Sequence, residues 1–243
     1  MRAFTLIELL VVMGIVVVVM AILLPALGIA RQSAQRVQCL SNLRQMVIAA
    51  NIYADRFHGS YPIAYYSDNS GGVVTDYAWD LTTISGGTEP TRVVAGLLWE
   101  GKGAGAIQQC PSFDGDANWL VDPFTGYNYN TSYIGHGQFE TVEAPAKMVA
   151  IRRPVEVAIF GDGQWGDGAN KFMRAPWPSA GDLGFIGRWG GTQGFRHRGK
   201  TNVAFCDGHA ESLADRFVEN ADGAENVAKG TGFLSADNRA YGQ

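Results

Sequence analysis

The chain has 243 residues, 47% of them apolar, and 19 Lys and Arg stand against 23 Asp and Glu for a formal net charge of -4. That length accommodates a sizeable core. The charge balance, with no basic block in the sequence, excludes the electrostatic footprint of a nucleic-acid-binding protein.

In chain order, Met1, Arg2 and Ala3 form a short leader, and Leu9 to Ala30 then carry no charge. Twenty-two helical residues reach roughly 33 Å, enough for a hydrocarbon layer of about 30 Å. A secretory signal is cut after its apolar stretch. Here the small residue, Ala3, precedes it, so a cut there leaves the hydrophobic helix on the mature protein. Glu8 stands at the lip of the run, and a carboxylate at that depth implies a partner or a place in the headgroup layer. Pro25 predicts a kink or loosened turn near Leu23 and Leu24.

Past Pro25 the pattern becomes one-sided. Ala30, Ala34, Val37, Leu40, Leu43, Val47, Ala50, Ala54 and Phe57 recur at intervals of three and four, the stripe of an amphipathic helix that packs on a domain. One helix from Phe4 to Phe57 spans roughly 80 Å, and Gly59 supplies a left-handed stop after His58. The chain thus divides into a leader (1–3), an apolar helix (4–30), an amphipathic continuation (31–58) and a globular head (59–243).

The head is rich in Gly, Trp, Tyr, Asn and Asp, a composition that suits short strands and ordered loops. Strands are expected at 72–79, 148–151, 155–160, 202–206 and 209–213, and short helices at 90–100 and 214–220. Residues 126–133, GYNYNTSY, read as a half-buried strand or ordered loop, and 161–194 as a loop insertion or surface lobe. Asp207-Gly208 between two extended pieces predicts a two-residue hairpin turn, with Val203 and Phe205 on one face and Ala204 and Cys206 on the other. The fold class is α+β: a long helix on an antiparallel sheet with Gly-rich loops.

Ala3-Phe4-Thr5-Leu6-Ile7-Glu8 before an apolar run resembles the processing site of type IV pilins and type II secretion pseudopilins. The resemblance implies that a prepilin peptidase cleaves before Phe4 and methylates the new amino terminus. It also implies that Glu8 pairs with the amine of a neighbouring subunit and that Pro25 interrupts the helix. Ala3 departs from the more usual Gly. A second resemblance lies in HRGKTNVAFCDG, where nine residues separate His197 from Asp207-Gly208. This is similar to the H-X9-DG signature of planctomycete-type prepilin-like proteins. CLSNLRQ at 39–45, CPS at 110–112, YNY at 127–129 and FGDG at 160–163 look like further pieces of that domain.

Several chemical readings stay open. His197 and Asp207 either serve a loop and a turn or form a metal pair with His209 or Asp162, though no tight ligand spacing is present. Asp114, Asp116, Asp162, Asp167 and Asp182 sit in glycine-rich loops whose oxygens suit calcium, without EF-hand spacing. Cys39–Cys110 is the preferred disulfide in an exported head, with Cys110–Cys206 as the alternative. Trp165, Trp177 and Trp189 offer either packing or a glycan- or protein-binding surface. No nucleophile or acid–base set stands out, so an enzyme is not expected. Two functions follow. One is a subunit of a pilus-like or pseudopilus-like filament, whose partners are its own copies or other pilins, the peptidase and an inner-membrane assembly platform. The other is a membrane-tethered binding module that uses the same export signal. In both, the leader stays cytoplasmic and the head is exported.

Overall fold

A computed structural model of the chain describes residues 5–86, 89–100, 105–118, 122–138, 140–142 and 144–242. Helix α1 runs from Leu6 to Arg56, 51 residues or about 76 Å. Thr5 opens it with a reciprocal cap. Its Oγ1 accepts the Glu8 N–H at 3.3 Å, and Glu8 Oε2 accepts the Thr5 N–H at 2.8 Å and hydroxyl at 2.7 Å. The helix continues past Pro25, which lies inside it, despite the missing amide and the ring's clash with the preceding turn. At the other end the Gly59 N–H reaches back to the Ala54 carbonyl at 2.7 Å. The first left-handed residue there is His58, at φ 56°, and Gly59 follows at 82°.

No residue of α1 before Cys39 is buried. The apolar part stands clear of the head as one helix long and apolar enough to cross a membrane. The buried face is Cys39, Asn42, Leu43, Met46, Val47, Ala50 and Ala54. Ala30, Ala34 and Val37 of the expected stripe are exposed, and Phe57 lies outside it, stacked on Tyr53 with ring centroids 4.1 Å apart. The face is rotated because its upper edge is polar. Cys39 faces a polar cluster, and the Asn42 amide donates to Tyr127 and to the Gln109 carbonyl.

The head contains two larger sheets. A meander of β1 (Tyr65–Ser70), β2 (Val73–Ala78), β3 (Leu81–Gly86) and β4 (Arg92–Ala95) pairs antiparallel throughout. The second sheet has the order β10-β9-β6-β5-β7, built from β5 (Asn128–Asn130), β6 (Ala158–Gly161), β7 (Phe172–Met173), β9 (Thr201–Phe205) and β10 (Ala210–Leu213). Its β5–β7 pair is parallel, a departure from the expected all-antiparallel head. A third, minimal pairing joins β8 (Gln193–Gly194) to β11 (Thr231–Gly232). The two larger sheets are tied through Lys171, whose ammonium lies 3.1 Å from both Asp80 and Asp122, and through Trp79, whose indole N–H donates to the Lys171 carbonyl.

Helix α1 packs on β6, β9 and β10, so β9 is buried on both faces. Ala204 and Cys206 look toward the helix and its core, while Val203 and Phe205 join Ala158, Met173 and Phe233 in a second core behind the sheet. The alternation read from the sequence is the one observed.

Five other expectations are corrected. Residues 148–150 form a 3₁₀ turn, with Val149 pointing into solvent, and 154–156 form a turn before β6 begins at Ala158. The span 90–100 is β4 followed by a 3₁₀ turn at Leu97–Trp99, consistent with the β-branched pair Val93-Val94. Residues 214–220 are extended, because Phe217 pairs with Phe233 and packs into the second core. The 205–209 turn holds three residues rather than two. The Gly208 N–H donates to Phe205 O and the Phe205 N–H to His209 O, and Gly208 alone takes positive φ, at 98°.

Candidate functional site

A bulge in β6 positions the first member of a buried cluster. Ala158 opposes Phe205 but Phe160 opposes Ala204, so an extra residue, Ile159, re-phases the strand. Ala158 faces the rear core, whereas Phe160 faces the helix. Asp162, two residues on, therefore also points at α1. Its Oδ1 lies 3.0 Å from Cys39 Sγ. Without the bulge, residues 160 and 162 would share the rear face with 158.

Three further segments converge on the same point. Cys110 is held by its own N–H to the Thr125 carbonyl, and its Sγ lies 3.7 Å from Cys39 Sγ and 3.9 Å from Asp162 Oδ1. His197 enters from a tight turn before β9. Its N–H and carbonyl exchange bonds with Lys200, and Arg198 and Gly199 between them both take positive φ, the geometry of a type I′ turn. Its Nε2 lies 3.2 Å from Asp162 Oδ2 and 4.0 Å from Cys110 Sγ. All four residues are buried.

Arg196 closes the cluster. Its guanidinium meets Asp162 Oδ1 at 3.2 Å, donates to Cys110 Sγ at 3.4 Å and also reaches the Gly126 carbonyl. Burial pushes the Cys39 thiol up, reinforced by its neighbours Cys110 and Asp162. Burial also resists ionisation of Cys110, but the contact with Cys39 and the Arg196 charge outweigh it and hold that thiol well below its ordinary value. Desolvation opposes the Asp162 carboxylate as well, and Arg196 and His197 more than offset it. His197 is pushed up to about 9, since the hydrogen bonds to Asp162 and Cys110 exceed the cost of burial. The site thus sets the carboxylate of Asp162 and the low-lying thiol of Cys110 against two cationic groups, Arg196 and His197.

The four residues come from the CLSNLRQ, CPS, FGDG and HRGK fragments of the chain, which lie far apart in sequence. The signature's two halves separate. His197 turns inward to Asp162, while Asp207 stays in the exposed turn, accepting from the His209 backbone N–H at 3.1 Å with its ring Nδ1 at 2.6 Å. Cys39 and Cys110 carry free thiols, as does Cys206 on the helix-facing side of β9.

The five acidic calcium candidates fall in three places, although Asp116 and Asp167 adjoin, the Asp116 N–H donating to the Asp167 carbonyl at 3.1 Å. Asp114, Asp116 and Asp167 are exposed, and Asp162 belongs to the cluster. Asp182 is a buried anchor whose carboxylate accepts from Ser132 Oγ at 2.6 Å, Ser179 Oγ at 2.7 Å and Arg188 Nη2 at 2.9 Å. Residues 161–194 are mostly loop, as one of the two readings expected, but Arg174, Asp182 and Arg188 are buried in the head rather than set on a surface lobe. The tryptophans split as well. Trp165 and Trp189 pack together with ring centroids 5.3 Å apart, while the Trp177 indole N–H binds the Ala236 carbonyl.

At the far end of the molecule, the apolar side chains from Leu6 to Ile29 are all exposed. Ala3 and Phe4 lie outside the described residues. The Thr5–Glu8 box follows the T-x-x-E pattern of a helix start before an apolar run. No family model matches this chain, and no significant match exists among curated proteins or among solved structures.

Proposed function

We propose that the protein is a structural subunit of a pilus-like or pseudopilus-like filament, working by assembly rather than catalysis. The observation that carries this reading is the uncovered apolar half of α1, continuous with a half that is built into the head. An apolar rod of that length is costly in water. A bilayer covers it before assembly, and the rods of neighbouring copies cover it afterwards. Cleavage before Phe4 places the new amine one turn from Glu8, and extraction from the membrane then exchanges lipid for helix–helix contact. Glu8 meets the amine of the next subunit and sets the axial register.

Glu8→Ala tests the role of that carboxylate. In the assembled rod the substitution would leave the neighbouring amine without its partner. Filament yield, measured by shearing and sedimentation, should fall while head folding stays intact by circular dichroism. Unchanged yield would remove Glu8 from the assembly mechanism.

A membrane-tethered binding module is the second reading, and the exposed Trp165 against Trp189, together with the outward Ile186, favours it. Isolated membrane-bound monomers with saturable glycan binding would support it over the first.

A further inference from the structure

We propose that Cys39, Cys110, Asp162 and His197 hold one zinc ion, which staples the helical rod to the head. Their ligand atoms all lie within 4.8 Å of one another. Zn–S bonds of about 2.3 Å and Zn–N or Zn–O bonds of about 2.0–2.1 Å give a tetrahedron with edges of roughly 3.8 Å between sulfurs. The other edges are roughly 3.5 Å from sulfur to nitrogen or oxygen and roughly 3.3 Å from nitrogen to oxygen. With Asp162 Oδ1 as the carboxylate ligand, the chain presents a sulfur–sulfur edge of 3.7 Å, sulfur–oxygen edges of 3.0 and 3.9 Å and a sulfur–nitrogen edge of 4.0 Å, while the 3.2 Å contact of His197 Nε2 is with the other oxygen, Oδ2. Those four edges are each within about half an ångström of the tetrahedral value.

The donor set selects the ion. Two sulfurs, an imidazole and a carboxylate suit zinc, whereas calcium takes six to eight oxygens. Charge agrees: two thiolates and one carboxylate carry three negative charges, which a divalent ion and Arg196 cancel. The thiols and the His197 imidazolium give up their protons to solvent on binding, and the oxidation state of sulfur does not change.

The surrounding groups orient the ligands as a metal site requires. The Asn202 N–H donates to Asp162 Oδ2 at 2.6 Å, and Arg196 holds Asp162 Oδ1 and Cys110 Sγ. All four ligands are protein side chains and all are buried, which leaves no open position for a substrate, so the role is structural. A cleft of 490 Å³, bordered by Arg31, Gln35, Phe113 and His197, gives the ion an access route. The site joins α1, the 110–112 loop, the bulged strand β6 and the turn before β9. This inference does not depend on filament assembly.

Metal analysis of the full chain, purified reduced in detergent and dialysed against metal-free buffer, tests it directly. One zinc per chain is expected. Removing it with a strong chelator should lower the melting temperature, and zinc alone should restore it. Cobalt in its place should give the intense visible bands of a tetrahedral, thiolate-ligated ion. Cys39→Ser and His197→Ala should lose the metal, whereas Cys206→Ser should keep it. Should either ligand variant fail to fold, the cobalt spectrum of the unsubstituted chain decides. No zinc uptake by the reduced chain, an octahedral cobalt spectrum, or a Cys39–Cys110 disulfide in the exported protein would each overturn the proposal.

Discussion

Arg188→Met is expected to destabilise the head by about 3 kcal/mol, the low end for breaking a buried ion pair, because Asp182 keeps Arg174 at 3.6 Å. Both side chains of the Arg188–Asp182 pair are fully shielded from solvent. The guanidinium also donates to the Ala175 carbonyl at 2.9 Å and the Asp182 carbonyl at 3.1 Å, so the substitution strands acceptors as well as a charge. Thermal unfolding should shift down by on the order of 10 °C. Asp182 is held at about 2, because Arg188, Ser132 and Ser179 overcome the cost of burying it. A depressed value in the folded chain means that its stabilising contribution, roughly 2 kcal/mol, is complete above the unfolded value of 3.8 and is lost as pH falls toward about 2. The variant should lose much of that acid dependence, which a melt series across this range measures. The double variant with Asp182→Asn should cost less than the sum of the two singles. A wild-type melting curve from Arg188→Met would show the 161–194 region to be peripheral after all.

Deleting residues 1–30 is expected to convert a detergent-requiring protein into a water-soluble monomer with an unchanged head. Every buried residue of α1 lies at Cys39 or beyond, and Gln35, which donates to the Pro111 carbonyl at 2.9 Å, is retained. The deletion therefore removes exposed apolar surface and no core contact. Size-exclusion chromatography without detergent and a thermal melt measure both effects. A truncated chain that aggregates or melts early would show that the rod also supports the head.

What the sequence discloses depends on whether local pattern or distant convergence does the work. The length and apolarity of α1 and the two faces of β9 are periodic features, and both were legible. The stripe on α1 departs from the periodic reading because Cys39 and Asn42 form its buried upper edge, where Ala30, Ala34 and Val37 stay exposed. Asp182 reads from the sequence as a loop oxygen donor, and although Arg188 lies only six residues on, the carboxylate is also anchored by Ser132, 50 residues away, which no local window contains. The cluster at Cys39 was hidden for a similar reason. Its ligands come from four segments, with 71 residues separating Cys39 from Cys110 and 52 separating Cys110 from Asp162, and the bulge that aims Asp162 leaves no signature in composition. The turn at Arg198-Gly199, by contrast, had a readable glycine cue that the larger signature overshadowed.

Imaging of the native assembly, joined to intact-mass measurement of its subunit, tests the central claim most directly. The account predicts helical filaments built from a chain that begins at Phe4 and keeps Leu9–Ala30 in the filament interior. A mature product from which that stretch has been removed would contradict it.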